Sequence, residues 1–137
     1  MKIFAFITIL FFSLSAMAQQ KGDNAIIIKD GAVSIEDLKA SFIRNGFIIE
    51  SSDANYVSTG VLQRKGHYGV KYAAVKDADS IILKGWIMPD SSNASKKANE
   101  MEAIVNAGSK GTRAKDSFMW MKQFADLRSK NVYCKRF

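Results

Sequence analysis

Residues that could perform catalysis are scarce in this chain of 137 residues. One histidine, His67, and one cysteine, Cys134, are present, and no local motif joins them. Zinc would need further His or Cys ligands, which the chain lacks, so no metal site is predicted. General acid–base chemistry would fall to carboxylates alone, and a pocket that gathered two of them would indicate a small hydrolase. The candidate carboxylates are Glu50, Asp53, Asp77, Asp79 and Asp90.

A basic, glycine-containing segment over residues 106–115 (NAGSKGTRAK) could bind an anion. Free backbone N–H groups at a helix start, with cations nearby, can hold a phosphate, sulfate or carboxylate. The segment is not a P-loop, because two residues rather than four separate its glycines and Thr-Arg follows in place of Lys-Ser/Thr. A flexible basic turn is the alternative. The residues of this hypothetical anion site are Lys110, Gly111, Thr112, Arg113 and Lys115.

The first 18 residues are typical of a secretory signal peptide. The start is positively charged, residues 3–14 form a nearly unbroken apolar run, and Ala16 and Ala18 stand where a signal peptidase reads small residues. A retained membrane helix would need about 20 apolar residues, more than this run supplies. Cleavage after Ala18 predicts an exported chain, periplasmic, at the cell surface or secreted, with no transmembrane segment left.

The remaining residues, 19–137, are enough for one domain with its own core. Residues 19–95 carry nine positive and nine negative side chains, whereas residues 96–137 carry ten and four. This basic last third favours anionic partners, such as a membrane surface, an acidic glycan or an acidic protein. Nucleic acid ranks last, because an exported protein seldom meets it. A solvated basic face that aids solubility is the alternative.

The predicted elements begin with a strand and a helix. Residues 24–31 form an apolar β-branched run that a turn signal closes, which predicts a strand. In the following segment Ser34 can cap the start of a helix, with Asp37 at the capping-box position. The pair Asn45-Gly46 favours a left-handed backbone that would end this helix. The apolar residues in one arc of this helix are Ile35, Leu38, Phe42 and Ile43.

Strands dominate the middle of the chain. Short connectors between β-rich runs predict an antiparallel meander with strands over residues 47–52, 56–64, 69–76 and 80–88. A polar loop over residues 90–99 follows. Residues 100–108 favour one more strand over a short helix. A second amphipathic helix is predicted over residues 116–129, and the sum is an α+β fold with both helices on one face of a single antiparallel sheet.

The element order β-α-β-β-β-β-α is similar to the TATA-binding-protein-like arrangement. The segments AIIIKDGAVSIEDLKASF, YVSTGVLQRKG and SIILKGWI resemble those of small exported bacterial domains of unknown function assigned to that fold. The resemblance covers most of the chain after residue 18 as an order of elements and a few hydrophobic and glycine positions. It implies a fold and supplies no functional residues.

A sheet covered by helices on one side has a second side. Along residues 80–88, Ile81, Leu83, Gly85 and Ile87 point one way, and Ile82, Lys84, Trp86 and Met88 point the other way. An exposed face with apolar and aromatic groups is typical of a contact surface. We therefore predict a non-catalytic binding domain without a cofactor, whose partner is an envelope or extracellular protein or an anionic glycan. The alternative is that a chain tail or residues 90–99 cover this face.

A lone cysteine excludes an intrachain disulfide. In an oxidising compartment Cys134 is either buried or free to pair between chains. Burial is favoured, because free cysteine is among the most buried residue types. Pairing between chains would instead make a homodimer and support a second hypothesis, a structural or oligomerising component of the cell envelope.

Overall fold

The computed structural model describes residues 21–65, 68–89, 101–109, 111–126, 129 and 131–137. The predicted signal peptide, His67, Asp90, Lys110 and the predicted loop over residues 90–99 lie outside the described residues. Within the described part, two helices and one open antiparallel sheet form an α+β fold. The fold class predicted from the sequence is confirmed.

The strands described all belong to one sheet. Their bounds are β1 Ala25–Ile28, β2 Ile49–Asp53, β3 Tyr56–Thr59, β4 Leu62–Arg64, β5 Tyr68–Asp77, β6 Ser80–Pro89, β7 Glu102–Ala103 and β8 Val132–Lys135. The order across the sheet is β2-β3-β5-β6-β1-β8. The short strand β4 pairs with β5 beyond the end of β3, and β7 pairs with β6 beyond the end of β1. The strand expected within residues 100–108 is therefore confirmed, as a strand of two residues.

The first helix, α1 (Ile35–Arg44), has the caps that the sequence predicts. The Ser34 hydroxyl accepts from the Asp37 backbone N–H, and the Asp37 carboxylate accepts from the Ser34 N–H, which completes a capping box. Gly46, at φ +91°, ends the helix in the left-handed region. The predicted apolar arc is wrong at one residue: Ile43 is 54% exposed, because the helix is turned so that Ser41 is buried in its place.

The second helix, α2, spans Arg113–Asp126 and begins three residues earlier than predicted. The cause is Thr112, whose hydroxyl accepts from the Lys115 N–H and so caps the first turn. Both helices pack on the same side of the sheet: α1 contacts β2, β3 and β5, and α2 contacts β1 and β6. We call this side the covered face.

The predicted strand over residues 56–64 is in fact two strands. It breaks after Thr59, where the Gly60 N–H donates to the Ile48 carbonyl at 2.7 Å. After this break Leu62, rather than Val61, packs against the core. One continuous strand would point Val61 to the same side as the buried Val57, so the break at Gly60 changes which side chain faces the core.

Five aromatic rings lie at the centre of the covered face, and nine pairs of them have centroids 5.2 to 6.1 Å apart. They belong to Phe42, Phe47, Tyr72, Trp120 and Phe124. The Tyr72 hydroxyl donates to the Ser117 carbonyl at 3.2 Å, and burial raises the pKa of this phenol well above its usual range. The two helices and the sheet therefore share one core.

The last strand, β8, is absent from the sequence-based prediction. It pairs with β1 and places Cys134 beside Ile26, so that the thiol is buried. Burial of this cysteine was the favoured prediction and is confirmed. Burial also raises the pKa of the thiol, and the charge of Asp23 raises it further.

Candidate functional site

Successive side chains of strand β6 point to opposite sides of the sheet. Ile81, Leu83 and Ile87 are buried under the helices, as predicted. The four residues that alternate with them are each half-buried: Ile82, Lys84, Trp86 and Met88. Neither α1 nor α2 contacts this second side, which we call the uncovered face. The predicted alternation along β6 is confirmed, and the predicted binding role of these four residues stays a prediction.

An apolar row crosses the uncovered face. Residues directly opposite each other on antiparallel strands point to the same side, so the strand registers define the row. It runs from β3 to β8 through Tyr56, Val75, Ile82, Ile27 and Tyr133. Val75, on β5, is 43% exposed, whereas Ile27, on β1 between Ile82 and Tyr133, is buried. The uncovered face therefore presents apolar area to solvent at Val75.

A basic patch lies beside the apolar row. Lys71 is directly opposite Trp86, and Lys84 lies two residues before Trp86 on the same strand. The ammonium groups of Lys84 and Lys135 each lie 4.6 Å from the centroid of the Phe137 ring. These cation–π contacts hold two lysine side chains over the sheet. The basic patch comprises Lys71, Lys84, Trp86, Lys135 and Phe137.

The lysines of the basic patch differ in their partners. Lys71 Nζ lies 2.5 Å from Glu50 Oε2, and Glu50 is brought to this side by a bulge in β2. Lys84 and Lys135 form no ion pair with any described residue. Lys29 adds a further positive charge 5.5 Å from the Tyr133 ring at the end of the apolar row. On the uncovered face Glu50 therefore balances the charge of Lys71, and the charges of Lys84 and Lys135 are balanced by no described acid.

The C-terminal tail lies over the part of this face between β6 and β8. Asn24 accepts from the Phe137 N–H at 2.9 Å and donates to the Phe137 carbonyl at 3.3 Å, which fixes the last residue beside Lys84. Trp86 and Met88 stay half-exposed next to it. Sequence reasoning missed Lys71, Lys135 and Phe137, because their proximity to Trp86 depends on strand pairing that no local pattern shows.

The predicted anion site has its groups engaged within the chain. The Gly111 N–H donates to Asp116 Oδ1 at 3.1 Å, and the Thr112 hydroxyl donates to the Ser109 carbonyl at 2.8 Å. Lys115 Nζ donates to Asn106 Oδ1 at 2.6 Å, and Arg113 is exposed. The Asp116 carboxylate thus already accepts the Gly111 N–H hydrogen bond that a bound anion would need. Lys110 lies outside the described residues.

Four of the five candidate carboxylates lie in the described part of the chain, in three different local settings. Glu50 pairs with Lys71, Asp53 accepts from the Asn55 N–H at 2.7 Å in a turn, and Asp77 and Asp79 flank the tight turn at Ala78. Among the residues that the structure describes, no group of three or more His, Cys, Asp and Glu side chains could hold a metal ion. In the same part of the chain no helix is long and apolar enough to cross a bilayer.

Comparison of the chain with known protein families, with curated proteins and with solved structures finds no match.

Proposed function

We propose that the chain is an exported, non-catalytic binding domain whose uncovered face binds an anionic glycan. One observation carries the proposal: Trp86 lies half-exposed between two lysines, with Lys71 across from it and Lys84 beside it. The flat C–H side of a sugar ring packs well on an indole, and its carboxylate or sulfate groups form charge-assisted hydrogen bonds with ammonium groups. Export is proposed from the first 18 residues.

The distribution of charge favours an extended polymer over a single small anion. Lys71, Lys84 and Lys135 lie on β5, β6 and β8, so their charges are spread across the sheet rather than gathered in a cavity. Neighbouring strands are about 4.8 Å apart, which places the outer lysines on the order of 15 Å from each other. A polymer with repeated negative charges can contact Lys84 and Lys135 at once and compete with Glu50 for Lys71.

Calorimetric titration tests this proposal. The chain, purified after export from a bacterial host, is titrated with polygalacturonate as the anionic probe and with dextran as the neutral control. We expect polygalacturonate binding that weakens as salt is added, because exposed charges are screened, and no binding of dextran. Trp86→Ala and Lys84→Gln should each weaken binding at least about tenfold, which corresponds to about 1.4 kcal/mol.

A matched lysine variant provides the control. Lys76→Gln removes an exposed lysine at the end of β5 that lies outside the basic patch, and it should leave binding within about twofold. Equal binding of dextran and polygalacturonate, or unchanged binding by Trp86→Ala, would contradict the proposal. Stronger binding of polyglutamate than of polygalacturonate would reassign the face to an acidic protein.

A further inference from the structure

A cavity lies on the opposite side of the sheet from the basic patch. It has a volume of about 410 Å³ and opens between the β4–β5 hairpin, the end of α1 and the first half of α2. Such a volume is within the range of small-molecule sites, about 300 to 1,000 Å³. The lining residues that matter here are Asn45, Arg64, Lys65, Tyr68, Asp116 and Trp120.

Arg64 is held in place without using its hydrogen-bond donors. The guanidinium carbon lies 3.6 Å from the centroid of the Trp120 ring, which stacks the two planar groups. Trp120 in turn packs against Phe47 and Phe124, with centroids 5.4 and 5.5 Å away. The Arg64 guanidinium forms no hydrogen bond or ion pair with any described residue. Its N–H fork therefore remains available to a ligand carboxylate.

The charges around the cavity favour a ligand with a single negative charge. Arg64 and Lys65 contribute two positive charges, and Asp116 contributes one negative charge. A dianion would be repelled by Asp116, whereas one carboxylate balances the net charge. Among the described residues Asp116 bonds only the Gly111 N–H, through Oδ1, so Oδ2 can accept a hydrogen bond from a ligand. Asn45 donates to the Ser41 carbonyl at 2.8 Å and keeps its own amide oxygen as an acceptor.

From this arrangement we infer that the cavity binds a small hydroxylated monocarboxylate, the chemical class of the sugar acids. The carboxylate pairs with the Arg64 fork, and ligand hydroxyl groups donate to Asp116 and Asn45. This site differs from the proposed glycan surface in its position, its size and its use of arginine, and it does not require that the uncovered face bind anything.

Nuclear magnetic resonance of the full chain tests the inference. Amide and indole N–H signals are followed while D-glucuronate is added, and the two tryptophan indoles are assigned with a Trp86→Phe variant. We expect saturable shifts at Arg64, Lys65, Asp116 and the Trp120 indole. D-glucose, which lacks the carboxylate, and propionate, which lacks the hydroxyl groups, should each bind at least about tenfold more weakly.

Arg64→Lys tests the planar fork while it keeps the charge. It should weaken glucuronate binding at least about tenfold, because lysine can neither stack nor bind a carboxylate through two parallel hydrogen bonds. Arg136→Lys, the same replacement at an exposed arginine beyond β8, should leave binding unchanged. Unchanged binding by Arg64→Lys, equal binding of glucose, or shifts confined to the Trp86 indole would overturn the inference. The shift map of the unmodified chain decides the question even if Arg64→Lys does not fold.

Discussion

Gly85 and Trp86 are neighbours on β6, yet they belong to surfaces with opposite requirements. A Cβ atom added at Gly85 would lie 2.6 Å from Tyr72 Cδ1 and 2.7 Å from Ile104 Cδ1, so the covered face has no room for one more carbon atom. Trp86, one residue later, keeps part of a large indole in solvent. Strand β6 thus has one side on which the fold depends and another side on which a partner could be bound without disturbing the core.

The contacts on the two faces differ in strength as well as in kind. On the covered face, buried rings interlock, and removal of one leaves a cavity that its neighbours fill only in part. On the uncovered face, the main contacts are cation–π pairs and one ion pair whose acid, Glu50, is largely exposed. Exposed contacts of this kind contribute about 1 kcal/mol or less each. Stability should therefore follow the covered face, and the proposed glycan binding should follow the uncovered one.

The largest loss of stability is expected from Phe124→Ala. Phe124 is 2% exposed and packs against Phe42 and Tyr72, so truncation should lower the free energy of unfolding by about 3 to 5 kcal/mol. Urea unfolding followed by circular dichroism measures the change. A loss below about 1 kcal/mol would mean that the aromatic cluster does not hold the helices on the sheet.

Glycine substitutions on the two faces should lower stability by different amounts. Gly85→Ala should cost about 1 to 3 kcal/mol, because the buried Tyr72 ring cannot move without disturbing the cluster. Gly69→Ala, on the uncovered face, crowds Val61, which is partly exposed and can turn toward solvent, so this substitution should cost less. The same urea titration compares the two variants. Equal losses in the free energy of unfolding would show that the two faces do not differ in packing.

Trp86→Ala should hardly affect stability. Because the indole is half-exposed and lies outside the buried core cluster, its removal should change the free energy of unfolding by less than about 1 kcal/mol. The same variant should lose glycan binding, which is the reverse of the pattern expected for Phe124→Ala. A large loss of stability at Trp86 would assign this residue to the fold instead of to a binding surface.

The smallest expected effect is a dependence of stability on pH that arises from the Cys134 thiol. Burial, and then the charge of Asp23, raise the pKa of this thiol in the folded chain above its value in the unfolded chain. The neutral thiol therefore contributes stability that is fully present below the unfolded pKa and is lost as the pH rises through the folded pKa. Cys134 in the native chain should react with an aromatic disulfide more slowly than in urea between pH 7 and about 9. Equal rates would show that the thiol is accessible.

Local sequence patterns predicted most helices and strands. They did not predict contacts between parts of the chain that are far apart in sequence. The caps of α1 and the alternation along β6 depend on residues a few positions apart, and both follow from the sequence. β8 was missed because its four residues owe their structure to pairing with β1. The stacking of Arg64 on Trp120 joins a hairpin to a helix far along the chain, so no spacing or motif indicates it. The candidate site was predicted in part: its residues on β6 were named, and its lysines on other strands were not.

The position of β1 has a consequence for how the chain reaches its native state. Among the described strands β1 comes first in the chain, yet it pairs with β6 on one side and with β8, the last of them, on the other. Contacts between residues so far apart in sequence form slowly. During synthesis the three consecutive isoleucines of β1 must therefore stay out of aggregates until β8 has been made. Loss of β8 would leave the edge of β1 open to pairing with other molecules.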